Sequence, residues 1–168
     1  MVTVMPAELP RELLLEFFLT FARFEFALKH AALLRRPRRT HPSDPRDAHP
    51  DWDCFASSIR CAFAEDPDPS FRDACQYLLQ HPPEREVVSH GSVTWNAQSP
   101  SPDLPLADRV LTSVRRVRNN LFHGGKHTRA SDGDPRRNER LLRCSPAVLE
   151  ACLRAVPRVN EEFRGATL

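Results

Sequence analysis

Apolar side chains recur at helical spacing through the first half of the chain. The spacing predicts a helix over residues 11–34, since intervals of three and four place side chains on one helical face. The same pattern predicts a second helix over 51–64 and a third over 71–80, with Ser70 as the N-cap of the third. The apolar face predicted for the first helix consists of Leu14, Phe17, Phe18, Phe21, Phe24 and Leu28.

The sequence predicts two more helices in the second half of the chain. A fourth helix is predicted over 106–122, and the Gly-Gly pair at 124–125 is a typical helix end. A fifth is predicted over 136–163. Because proline lacks a backbone donor, we expect this helix to break near Pro146 and to kink near Pro157.

Two segments fall outside this helical frame. Residues 35–50 are rich in proline and are predicted to form a loop. Residues 84–105 form a second loop or insertion, although the apolar residues on either side of His90-Gly91 also fit a short hairpin. The sequence therefore predicts one all-α domain over 1–168, a bundle of four to five helices with long Pro-rich loops.

Composition narrows the class of protein. The chain has 168 residues, of which 40% are hydrophobic and 27% charged, with 16 prolines. These values exclude a long coiled coil, a membrane span and a collagen-like chain. The first residues lack the features of a signal peptide, so we expect a cytoplasmic protein. The five cysteines include no Cys-x-x-Cys pair, which favours small core side chains over a metal or redox site.

The near-neutral net charge of +2 conceals two opposed blocks. Residues 51–110 carry four basic and ten acidic side chains, whereas residues 111–143 carry nine basic and three acidic ones. Clustered charge says more about binding partners than the total does. The basic block is therefore a candidate for contact with a phosphate backbone.

Two charged residues lie within predicted apolar faces. Arg118 is flanked by apolar positions of the fourth helix, and Glu25 lies within the aromatic stripe of the first helix. Arg118 could extend its head to water, and Glu25 could pair with Lys29 four residues later. The alternative is that Glu25 and Arg118 pair across the bundle, because a charge inside an apolar face needs a partner.

The end of the fourth helix carries a recognisable motif. Arg118-Asn119 is followed by His123, and two glycines come next. The segment Val114–Lys126, VRRVRNNLFHGGK, resembles the signature of HEPN-domain proteins, which is an Arg, a polar residue and then a His. The segment Phe21–Lys29 is similar to the N-terminal helix of small stand-alone bacterial HEPN proteins.

The resemblance implies a HEPN-like endoribonuclease that uses no metal and no other cofactor. It implies a homodimer whose two Arg/His motifs meet at a cleft, with Arg118 and His123 as the catalytic pair and Asn119 supporting them. Glu25 and Asn120 are expected to support the site structurally. Such a protein would be a toxin or a phage-defence effector, with an antitoxin or another protein as a possible partner.

The chemistry of these side chains agrees with that expectation. Histidine can take and give a proton near neutral pH, and an arginine guanidinium binds a phosphate through two hydrogen bonds. On an ideal helix, however, Arg118 and His123 lie about 140° apart. Arg116 and Asn119 face the same way as His123, which makes Arg116 a candidate phosphate ligand. Arg115 and Lys126 complete the predicted substrate-binding set.

Further basic residues follow this motif. They form either a solvated basic loop or a rim that follows the phosphate backbone, and the motif favours the rim. A metal site at His123 and His127 is disfavoured, because the glycines between them would break the helical geometry. The basic residues of this segment are Lys126, Arg129, Arg136, Arg137, Arg140 and Arg143.

Two other functions remain open on the sequence. The chain could be a HEPN-like module that binds RNA or a protein partner without cleaving. It could also be a helical interaction protein in which the motif has arisen by chance. The presence of Arg118, Asn119 and His123 together favours the enzyme.

Overall fold

The structure is a computed structural model that describes residues 9–35, 45, 47–66, 68–96, 98–122 and 135–166. These residues form six helices and one two-stranded sheet, so the all-α prediction holds in broad terms. The helices are α1 Arg11–His30, α2 Trp52–Glu65, α3 Pro69–Gln80, α4 Leu106–Phe122, α5 Pro135–Ala155 and α6 Pro157–Gly165, and the strands are β1 Arg85–Ser89 and β2 Ser92–Asn96.

The helix α5 is the centre of the bundle, because it contacts each of the other five described helices. Around it, α1 packs on α6, α2 packs on α4, and α3 packs against both α5 and α4. Burial of large apolar side chains stabilises this arrangement. The largest fully buried side chains are Phe17, Phe24, Leu28, Phe55, Ile59, Leu78, Val110, Leu111, Val114, Leu141, Leu142 and Leu149.

Helix α1 ends earlier than predicted and buries a different edge. Ala32 has a φ of 65°, and the backbone N–H of Leu33 donates to the carbonyl of Leu28 at 2.9 Å. This geometry ends the helix in a Schellman motif without glycine, so the sequence offered no stop signal. Phe18, predicted on the buried face, is 44% exposed, while Leu13 is buried in its place.

Aspartates cap two of the helices. The Asp51 carboxylate accepts a hydrogen bond from the Cys54 backbone N–H at 2.9 Å and caps α2. At α3, the Asp68 carboxylate accepts from the Ser70 N–H at 2.9 Å, and Pro69 occupies the first turn. The prediction of Ser70 as N-cap is therefore wrong, because Pro69 suits the first helical position and shifts the cap to Asp68.

The predicted fifth helix is two helices. Helix α5 continues through Pro146, where the Ser145 hydroxyl donates to the Leu141 carbonyl at 2.8 Å. The chain instead breaks at Val156, since the residue before a proline avoids helical geometry and Pro157 then begins α6. The predicted break near Pro146 is wrong, and the predicted kink near Pro157 is a full break.

The segment 84–105 contains the hairpin that the sequence left open. Strands β1 and β2 pair antiparallel, with Ser89 opposite Ser92. His90 and Gly91 have φ values of 51° and 77°, as a two-residue type I′ turn requires. Most of the predicted loop at 35–50 lies outside the described residues, but a bridge between Leu34 and Pro50 joins its ends.

Candidate functional site

The C-terminal half of α4 holds most of the predicted site residues. Arg118 is half-buried, and its Nη1 donates to the Asn119 side-chain oxygen at 3.1 Å. The guanidinium carbon of Arg118 lies 5.7 Å from the centre of the Phe21 ring on α1. The contact between a cation and a ring face is favourable, so Arg118 is oriented from two sides.

An aromatic cluster on α1 and α2 lies beneath these arginines. Trp52 stacks on Phe21 and on Phe24, each at 5.5 Å between ring centres. The guanidinium carbon of Arg115 lies 5.7 Å from the Trp52 ring centre. Arg115 and Arg118 therefore contact one aromatic cluster. Arg115 is exposed and Arg118 is half-buried, so both remain accessible to solvent.

Glu25 belongs to the same cluster, but its partner differs from the predicted one. The Trp52 indole Nε1 donates to the Glu25 carboxylate at 3.3 Å. The ion pairs found among the described residues join Glu25 neither to Arg118 nor to Lys29. The hydrogen bond to Trp52 gives the carboxylate its partner inside the aromatic stripe, which the helical wheel of one element could not reveal.

Arg116 and Asn120 hold the base of the hairpin. Arg116 Nη1 donates to the Gln98 carbonyl at 2.6 Å, and Asn120 Nδ2 donates to the Glu84 carbonyl at 2.7 Å. Burial lowers the pKa of Arg116, with a further contribution from the nearby charge of Arg85. Arg116, predicted to bind phosphate, thus has a structural contact, and Asn120 is a buried support.

The hairpin is the part of this region that sequence reasoning did not connect to the site. Its two ends are attached to α4 through side chains four residues apart, which lie on one face of the helix, whereas Arg118 projects from the opposite face. The Asn-Asn pair offered a signal. Asn120 falls on the apolar side of α4, where a polar side chain needs a partner, whereas Asn119 is exposed.

His123 and Lys126 lie outside the described residues, as do the two glycines between them. Helix α4 is described up to Phe122, the residue that precedes His123 in the sequence. The predicted pairing of Arg118 with His123 therefore stays a prediction. Of the predicted site, the structure brings together Arg115, Arg118, Asn119 and Glu25 around one aromatic cluster.

The electrostatics of this helix end favour an anion. Arg115, Arg116 and Arg118 place three positive charges on little more than one turn. Within the described part of the chain, no group of three or more His, Cys, Asp or Glu side chains could hold a metal ion. Among the described helices, none is long and apolar enough to span a membrane.

No family model matches the chain, and no curated protein or solved structure is significantly similar to it. The resemblance to HEPN proteins thus depends on the residues of α1 and α4 and on the segment that follows α4.

Proposed function

We propose that this protein is an endoribonuclease of the HEPN type, in which Arg118 and His123 act on the RNA backbone and Asn119 positions Arg118. The observation that supports this proposal best is that two contacts orient the Arg118 guanidinium. Asn119 and Phe21 orient its guanidinium at the end of α4, five residues before His123 in the sequence. A guanidinium held in this way suits a phosphate that gains charge in the transition state.

The proposed reaction uses the RNA itself as nucleophile. The 2′-oxygen forms a bond to phosphorus as the bond to the 5′-oxygen breaks, which leaves a 2′,3′-cyclic phosphate and a 5′-hydroxyl. A neutral His123 accepts the proton of the 2′-hydroxyl, and a protonated His123 of a second copy gives a proton to the leaving oxygen. Since one chain supplies a single His123, the proposal includes a homodimer.

The test is cleavage of single-stranded RNA by the purified protein in EDTA. We expect the wild type to produce cyclic phosphate ends, and we expect His123→Ala and Arg118→Ala to lose the activity by at least about a hundredfold. DNA of the same sequence should remain intact because it lacks the 2′-hydroxyl. Arg164→Ala, at an exposed position on α6, is the control for the loss of an arginine.

Several results would contradict the proposal. Equal activity of the wild type and His123→Ala would exclude His123 from the chemistry, and loss of a real activity in EDTA would exclude the metal-independent route. Binding of RNA without cleavage would instead indicate an RNA-binding module. A role as a cytoplasmic toxin or phage-defence effector predicts that expression is toxic and that His123→Ala relieves the toxicity.

A further inference from the structure

A second basic surface lies between α3 and α5. It is an open groove of roughly 520 Å³, lined by Tyr77 and His81 on the α3 side and by Arg136, Arg137 and Arg140 on the α5 side. These arginines belong to the basic segment after the motif, and the structure adds the aromatic wall opposite them. Both rings are partly exposed, and arginine beside accessible aromatic rings is the combination that binds single-stranded nucleic acid.

The aromatic wall is a stacked column. The His81 ring stacks on Tyr77 at 4.2 Å between centres, with 20° between the planes. The Arg140 guanidinium carbon lies 4.3 Å from the Tyr77 ring centre. The Tyr77 ring thus has a cation and a second ring against it. The His81 side chain is partly exposed, so a base can stack on the column from its side.

The charges of the groove favour an anionic ligand. Asp73 also lines it, and Glu139 lines a neighbouring pocket that shares Asp73, Arg136 and Arg140 with the groove. Glu139 pairs with Arg143 at 2.8 Å, and none of the ion pairs among the described residues involves Arg140. The guanidinium of Arg140 lies over an aromatic ring instead, on an exposed side chain. Its positive charge is thus available to a phosphate.

The groove opens beside the end of α4. Arg137 Nη2 donates to the Pro82 carbonyl at 2.7 Å, and Asn120 donates to the Glu84 carbonyl. Two residues of chain span at most about 7 Å, so the arginine wall and the turn of α4 that carries Arg118 attach to one short segment. The groove therefore lies near the end of α4, where the proposed reaction takes place.

We propose that the α3–α5 groove binds the single-stranded RNA that flanks the cleaved bond, with Arg140 on a phosphate and a base on His81, while Arg137 holds the groove wall through Pro82. This inference rests on the proposed function for its choice of ligand. The stacked His81–Tyr77 column favours RNA over an acidic polypeptide, because a carboxylate gains nothing from a ring face whereas every base can stack on one.

The test measures binding and cleavage separately. Fluorescence anisotropy with a 2′-O-methyl oligonucleotide, which lacks the attacking hydroxyl, reports binding alone. We expect His81→Ala to weaken binding by at least about fivefold, the lower end for loss of one stacked base, and His81→Phe to retain it. Arg140→Glu should weaken binding and reduce the slope of log K against log salt by about 0.7.

Arg158→Glu makes the same change of charge at an exposed residue outside the groove, and we expect it to bind as the wild type does. Equal binding by Arg140→Glu and the wild type would overturn the groove proposal and leave the cleavage proposal standing. Equal loss in Arg158→Glu, or displacement of the oligonucleotide by polyglutamate of equal charge, would also overturn it. Groove-dependent binding without cleavage would overturn the nuclease proposal alone.

Discussion

At the scale of single residues, the aromatic cluster shows how a partly buried carboxylate is accommodated. Glu25 lies in a stripe of phenylalanines, and its carboxylate accepts the hydrogen bond of the Trp52 indole. Trp52 is 5% exposed and stacks on two phenylalanines, so its N–H has little access to water. The acid thus satisfies a buried donor, beside the two arginines that contact the same rings.

This role of Glu25 predicts a difference between two substitutions. Glu25→Ala should lower the free energy of unfolding by about 1–2 kcal/mol, because it leaves the Trp52 donor without its acceptor. Glu25→Gln keeps a side-chain oxygen and should cost less than about 0.5 kcal/mol. Urea unfolding followed by tryptophan fluorescence measures both, with Lys29→Ala as a control. A Gln variant as unstable as the Ala variant would show that the negative charge matters instead.

The buried thiols predict a loss of stability at alkaline pH. Burial raises the pKa of Cys75 from 9.0 to about 12, and burial also raises the pKa of Cys152. Because the folded pKa is above the unfolded one, this contribution is complete below about pH 9 and disappears as the pH rises toward 12. The free energy of unfolding should therefore fall between pH 9 and pH 11.

In Cys75→Ala, the free energy of unfolding should fall less steeply between pH 9 and pH 11 than in the wild type. This holds however much the substitution destabilises the protein at neutral pH. A change of one pH unit in this range corresponds to about 1 kcal/mol for one thiol. Cys54→Ala, at an exposed cysteine, should leave the slope unchanged and serves as the matched control. Parallel curves for the wild type and Cys75→Ala would contradict the assignment of the alkaline loss to this thiol.

At the scale of elements, two neighbouring asparagines of α4 have different roles where the helix meets the hairpin. Asn120 is 7% exposed and donates to the Glu84 carbonyl, whereas Asn119 is exposed and accepts from Arg118. Asn120→Ala should lower the free energy of unfolding by about 1–2 kcal/mol, since the partly buried Glu84 carbonyl loses its donor. Asn119→Ala should cost less than about 0.5 kcal/mol.

The two variants should reverse their order when RNA cleavage is measured. Asn119→Ala should reduce the rate constant at saturating RNA, because Arg118 loses one of the contacts that orient it. Asn120→Ala should keep its activity at temperatures where it remains folded. Thermal unfolding and cleavage, measured on the same preparations, separate the two effects. If both variants lose stability equally, the hairpin is not anchored by Asn120.

The elements also show what local sequence can predict. Helix α4 begins at Leu106 as predicted, because Pro105 precedes a strongly periodic stretch, and its described residues run to Phe122. The stop of α1 could not be predicted, because it depends on an alanine at positive φ. Periodicity predicts that Phe18 and Glu25 lie on the apolar face of α1. It cannot predict what each side chain contacts, because that depends on packing between elements.

At the scale of the whole molecule, α5 connects the bundle, since it contacts every other described helix. Leu149 in this helix is fully buried, so Leu149→Ala should cost about 2–5 kcal/mol. Leu106 at the start of α4 is 38% exposed, so Leu106→Ala should lower the free energy of unfolding by less than about 1 kcal/mol. Circular dichroism and tryptophan fluorescence should give one coincident transition for both variants, and separate transitions would show that the helices unfold independently.

The proposed homodimer makes a prediction that no single chain could satisfy. Both histidines of the dimer take part in the proposed reaction, one as the base and the other as the acid, so a dimer with one intact His123 should be inactive. With RNA in excess, adding His123→Ala protein to a fixed amount of wild type should therefore lower the cleavage rate, because subunit exchange draws wild-type chains into heterodimers. The rate at increasing ratios of variant to wild type measures this effect. Arg164→Ala, which keeps His123, should not lower the rate and is the control. A rate that stays constant with excess His123→Ala protein, while exchange is complete, would place both proton transfers within one protomer.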